Sequence, residues 1–108
     1  MKSIILTAVA ISALSGVAQA APLSDSQFLQ TARCRGLAAS EGLGKLDTAA
    51  IDAVLRAEGG ARELPVRTSA NRKIAEGQAQ GDKAEGGKKE KLLAERQAQC
   101  AGWLAGGQ

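Results

Sequence analysis

Large apolar residues recur three and four positions apart along this chain, and nowhere do they alternate over several positions as a half-buried strand requires. The clearest stripe is Ile51, Val54, Leu55 and Glu58 at i, i+3, i+4 and i+7, which predicts a helix over residues 47–58 with Asp47 as its cap. Leu46 before that cap and Ile51 after it form a staple pair, and Gly59-Gly60 supplies the stop, where a left-handed residue is expected. The last stretch, Lys88 to Leu104, places Lys89, Leu92, Leu93, Arg96, Cys100, Trp103 and Leu104 within about a third of the circumference of a helix. Cys100 therefore falls inside an apolar stripe, and this helix is expected to fasten the two ends of the protein together.

Two further helices are predicted. Ser24 with Gln27 makes a capping box, and Leu23 with Phe28 a hydrophobic staple, so a helix begins near residue 24 and runs to 39. On it Phe28 and Ala32 share one side, while Leu29, Cys34 and Leu37 spread around the other; the Cys34 and Leu37 side is expected to face the last helix. Pro65 moves Leu64 out of helical space and can itself open a helix, which Val66, Ala70 and Ile74 continue to about residue 85. Gly77 and Gly81 follow on roughly that side, and with Ala70, Ala75, Ala79 and Ala84 they form a small-residue surface that either admits close helix approach or marks a loose linker. Each glycine costs a helix interior about 1 kcal/mol relative to alanine. Gly86-Gly87 is thus expected to break residues 65–104 into two helices hinged near Gly86, the alternative being one long helix.

The first twenty residues stand apart. Lys2, an apolar run from Ile4 to about Leu14, and Ala18-Gln19-Ala20 before Ala21 make a secretory signal peptide with cleavage between Ala20 and Ala21. The apolar run is too short to span a bilayer, and no cysteine follows the junction for lipid attachment. Cleavage leaves 88 residues, a single domain over 21–104 with residues 105–108 as a frayed tail. Periplasm or secretion is the expected location.

Composition matters chiefly through what it withholds. Beyond residue 20 the large aliphatics and phenylalanine number only 15, below what a chain of this size needs for a comfortable core, so a staple or a partner is required. The two cysteines, Cys34 and Cys100, are the candidate staple, and in an exported protein they are expected to pair. The fold class is accordingly an all-α domain of three or four helices, stapled by one disulfide between its first and last helices.

Candidate chemistry is sparse. The chain has no histidine, which removes the commonest general base and metal ligand, and no CxxC pair. Glu58 and Glu63 are scattered carboxylates better read as solvated. In the segment Gly42 to Thr48 glycines and Lys45 precede a helix, but Ala39 and Leu46 stand where a phosphate-binding loop needs Gly and Ser or Thr, and no strand comes before it. No catalytic residue, no metal ligand and no cofactor are expected, and the chain is not expected to be an enzyme. Basic residues gather at Arg62, Arg67, Arg72 and Lys73 and again at Lys88, Lys89, Lys91 and Arg96. Nucleic acid is excluded as a partner by compartment and by the lack of stacking aromatics, since Phe28 and Trp103 are the only two. A face comprising Arg67, Arg72, Lys73, Lys88, Lys89 and Trp103 is the candidate for an acidic protein partner or an anionic membrane surface, with a solvated mixed-charge helix as the plain alternative.

In size, exported location and one disulfide closing a long helical chain, Cys34 to Cys100, the protein is similar in outline to the small periplasmic acid-stress chaperones. The resemblance implies a stress-responsive holdase. The residues themselves favour a non-catalytic interaction or structural protein of the bacterial envelope, with an unidentified protein partner. Peripheral binding to anionic lipid through residues 62–96 is the third expectation.

Overall fold

The computed structural model describes residues 22–107, and the leader-like residues 1–20 with their Ala20–Ala21 junction lie outside the described residues. Four helices make up the fold: α1 (Asp25–Ala39), α2 (Ala49–Gly59), α3 (Leu64–Lys83) and α4 (Gly86–Leu104), with no strand among the described residues. The long C-terminal segment is two helices, and the break falls at Ala84–Glu85, both extended, followed by Gly86 at φ +57°. That φ lies where a side chain is disfavoured, so Gly86 makes the turn and Gly87 simply enters the first turn of α4.

α1, rather than the last helix, occupies the centre. Thr31, Ala32, Cys34 and the run Gly36–Ser40 are all buried, because α3 packs along one side of α1, α4 along another and α2 across a third. α3 and α4 make their main contacts with α1 and hardly touch each other. Cys34, Leu37, Leu43, Ile51, Cys100, Trp103 and Leu23 form one buried cluster, joined at its edge by Leu92, Leu93 and Leu104. Phe28, Ala32 and Ala70 form a second, joined by Leu29, Leu55, Val66 and Ile74. The Cys34 and Leu37 side of α1 thus faces α4 as its spacing implied, whereas Leu29 belongs with Phe28 on the α2–α3 side.

The α1–α3 contact is made by backbone. A Cβ on Gly36 would lie 2.2 Å from the Ile74 carbonyl oxygen, and one on Gly77 would lie 2.8 Å from the Arg33 carbonyl oxygen. The small-residue surface is therefore an internal seam: Ala70, Gly77 and Gly81 are buried against α1, Ala84 is half-buried, and Ala75 and Ala79 face solvent.

Helix ends depart from the simplest expectations in instructive ways. The Ser24–Gln27 capping box is complete, with both reciprocal bonds formed. Leu23 and Phe28, however, enter different clusters, so the staple pair is split between two sides of α1. At α2 the N-cap is Thr48, and the Asp47 carboxylate instead accepts the Ala49 N–H in a tight turn; Leu46 stays exposed and does not staple Ile51. Gly60 ends α2 in a right-handed conformation, the turn closing with the Arg62 N–H on the Gly59 carbonyl. The tail is ordered as far as Gly107: Gly106 at φ +96° donates to Trp103 and Gly107 to Gly102, a Schellman close to α4.

Candidate functional site

The charged side chains of this fold lie at or near its surface and divide into those that tie the helices together and those left over. α1 carries two arginines that reach its neighbours. Arg33 forks onto Glu95 of α4 at 3.0 and 3.2 Å and also donates to Gln80 of α3, while Arg35 donates to Asp52 of α2 at 2.9 Å. Arg62, beyond α2, binds Asp25, Glu58 and the Leu23 carbonyl and lies over the Phe28 ring, which ties the start of α1 to the end of α2. Gln30 adds a bond to Gln99 of α4 beside the Cys34–Cys100 disulfide.

The C-terminal end of α1 is gripped from both sides. It has no basic residue in its own last turn, and Arg96 of α4 supplies the missing charge, donating to the carbonyls of Leu37, Leu43 and Gly44. From α3, the Asp82 carboxylate accepts the Ser40 hydroxyl at 2.8 Å and the Gly42 N–H at 3.2 Å. The Ser40 hydroxyl bond and the Gly42 N–H hold the Asp82 carboxyl below its ordinary value near 3.8. Asp52 is opposed by desolvation, but bonds from Arg35 and Thr48 outweigh it and leave its pKa lowered as well. Burial lowers the Arg96 pKa.

Both aspartates therefore stabilise the fold above the unfolded carboxylate range, and that contribution is lost as pH falls through their lowered folded values. With no histidine in the chain, no side-chain transition of this kind belongs between pH 5 and 8. Melting temperature is expected to be flat across neutral pH and to drop below about pH 4, with Asp52→Asn removing part of the drop. A melting temperature that fell between pH 8 and 6, or an Asp52→Asn variant with the full acid response, would contradict this assignment.

Past Ser40 there is no α1 to separate α3 from α4, and an open cleft of about 420 Å³ lies between the two arms. Gln80, Lys83 and Ala84 line it from α3 and its end, and Lys88, Lys91 and Leu92 from α4. Leu92, half-buried against the core cluster, and Ala84 form an apolar floor, and no acidic residue lines the cleft. Among the five ion pairs of the described residues none involves Lys83, Lys88, Lys89 or Lys91. The first turn of α4, which carries Lys88, has no acidic residue and receives no side-chain cap from Glu85.

Two other clefts lack this combination. One of about 450 Å³ runs along Leu46, Leu93, Ala101 and Leu104, but its single cation, Arg96, is committed to backbone carbonyls. The other, about 290 Å³, lies between Phe28, Leu55, Leu64 and Ile74 beside Arg67.

The face expected from the sequence is divided by this arrangement. Arg67 sits on the Phe28 cleft, Arg72 is exposed on α3, and Lys73 pairs with Glu76 at 3.8 Å. Lys88 lines the cleft between the arms, with Lys89 exposed beside it, whereas Trp103 is 7% exposed and packs in the core. Lys83, Lys91 and Leu92 complete the cleft. Lys91 was visible in the basic run, and Lys83 could have been paired with it only by knowing that the chain reverses at Ala84–Glu85. No group of three or more metal-ligating side chains occurs among the described residues, and none of the described helices is long and apolar enough to cross a membrane. No family model, no curated protein and no solved structure matches this chain.

Proposed function

We propose that this is an exported helical protein of the bacterial envelope that acts by binding another macromolecule and performs no catalysis. One observation carries the reading: the arginines that reach α1 are spent on internal bonds, while Lys83, Lys88 and Lys91, in no ion pair among the described residues, line an open apolar cleft between the α3 and α4 arms. Unpaired charge around recessed apolar surface is the make-up of a binding site. Export is supported by the signal-like residues 1–20 and by a buried disulfide, a bond that persists in oxidising compartments.

The test is capture from envelope extract by the oxidised protein through a photo-crosslinker at Gln80, with the mature N-terminus read by mass. Recovery of one defined adduct and an N-terminus at Ala21 are expected. An inert monomer with no adduct, or a protein retained in the cytoplasm, would end the reading.

A second reading, an acid-responsive holdase, is favoured by a separate feature. The ion pairs that tie α1 and its N-terminal end to the other helices, and the Asp82 clamp at its C-terminal end, use carboxylates, namely Glu95, Asp52, Asp25, Glu58 and Asp82. Acid would weaken the bonds of Asp52 and Asp82 while the disulfide kept α1 tethered to α4. Suppression of client aggregation at pH 3 but not pH 7, followed by light scattering, is its expected signature, and no suppression at either pH would remove it.

A further inference from the structure

We infer that the cleft between the α3 and α4 arms receives an acidic peptide segment of a partner protein, one that inserts an apolar side chain between Ala84 and Leu92 while its carboxylates meet Lys83, Lys88 and Lys91. This deepens the binding reading and rests on it.

The charge of the occupant follows from the rim. Three ammonium groups border the cleft, with no carboxylate among its lining residues. Those lysines reach across the apolar floor on long aliphatic stems, so an occupant gains apolar contact and charge pairing at one place. An anion is the complementary partner.

The shape of the occupant follows from the floor. Leu92 and Ala84 are recessed, and the large apolar residues that stand exposed on this protein, Leu46 and Leu64, are both outside the cleft. A protein that docks on a bilayer inserts protruding apolar groups into it; here the protein offers the hollow, so the partner must supply the protrusion. A side chain on an acidic peptide does so directly. A lipid would have to withdraw an acyl chain from the bilayer to reach the same floor, which exposes its methylenes to water.

The location suits docking. The arms extend beyond the point where Asp82 and Arg96 close off α1, so a segment can enter from the open end without disturbing either clamp. Gly86 sets the turn at the tip, and neither Gly86 nor Gly87 has anything within 4 Å of where a Cβ would stand.

The experiment uses the oxidised mature protein and a short labelled peptide with glutamates flanking one central leucine, read by fluorescence anisotropy. Saturable binding is expected, weakened by salt. It should weaken about tenfold or more in Lys88→Glu/Lys91→Glu, a variant expected to keep its fold because both positions are exposed and acids near a helix N-terminus are favourable. Unchanged circular dichroism and melting of that variant are measured alongside. Replacing the leucine of the probe by serine is expected to lose most of the binding, and Lys73→Glu, outside the cleft, to leave it unchanged. Vesicles of phosphatidylglycerol and of phosphatidylcholine form the second arm.

Binding of the phosphatidylglycerol vesicles without the peptide, peptide binding indifferent to the Lys88 and Lys91 reversals, or binding equally strong with the serine probe would each overturn the inference. If the envelope crosslink to Gln80 succeeds but is insensitive to those reversals, the binding reading stands and the acidic-segment inference falls. If no adduct forms at all, the binding reading itself falls.

Discussion

Gly36→Ala is expected to destabilise the protein by about 2–3 kcal/mol, although alanine is the better helix former by about 1 kcal/mol. The added methyl would sit 2.2 Å from the Ile74 carbonyl oxygen and 2.9 Å from the Gln78 nitrogen, both backbone atoms of α3. Neither can rotate away, so α3 as a whole must withdraw from α1. That would open the seam along Gly77 and Gly81 and thin the contact of Phe28 and Ala32 with Ala70 and Ile74. The matched control is Gly87→Ala, where a Cβ meets nothing within 4 Å; there the helix propensity should be recovered and stability should rise by a few tenths of a kcal/mol or more. Urea denaturation of the two variants gives opposite signs on this account. A Gly36→Ala protein as stable as the parent would mean that α1 and α3 are not in backbone contact.

Loss of the disulfide is the second large expected effect. Cys34 and Cys100 are each 1% exposed, stand 5.4 Å apart at Cα and are 66 residues apart in sequence. Closing a loop of that length contributes roughly 4 kcal/mol in the chain-entropy picture, a large share of the stability of a domain this small. The surroundings cannot replace it. On the outer side of the bond α1 and α4 are joined by Gln30–Gln99 and Arg33–Glu95, exposed or half-exposed pairs that contribute little on their own, and on the inner side by the cluster of Leu37 and Trp103. Cys100→Ser, and equally the Cys34→Ala/Cys100→Ala pair, are expected to lower the melting temperature by roughly 15 °C or more, and reduction of the parent protein should match them. An unchanged melting transition in Cys100→Ser would remove the staple from the account of stability.

These two effects act on different links of the same design. The disulfide limits the unfolded chain, while the glycine seam determines how closely the folded helices approach. A chain with so few large apolar residues uses both, and Leu37 and Ile51 are the largest of its fully buried side chains.

Much of this could be read from residue order. The capping box at Ser24, the stripe at Ile51, Val54 and Leu55, Pro65 near the start of α3 and the cysteine pairing are local or combinatorial signals, and they place four helices and one bond within a few residues. What misled were positions whose role depends on a neighbour far away in sequence. Leu46 has the spacing of a staple but is left outside, and Gly106 has the look of a loose end but closes α4. Trp103 belonged to an apolar stripe and a basic surface at once, and only packing against Cys100 and Leu37 assigns it to the core.

The sequence by itself determined the four helices, the Ser24 cap and the pairing of Cys34 with Cys100, because each rests on periodicity, on side-chain-to-backbone bonds a few residues apart, or on there being one partner available. Only the tertiary structure decided that α1 is the centre, that Gly36, Gly77 and Gly81 form an internal seam, and that Lys83 stands with Lys88 and Lys91 across a cleft. The reason is that α1 is covered on several sides and so carries no single apolar stripe for periodicity to reveal. The cleft, in turn, exists because α1 stops at Ser40 while its two neighbours continue, a difference in length that becomes a site only when the helices lie side by side.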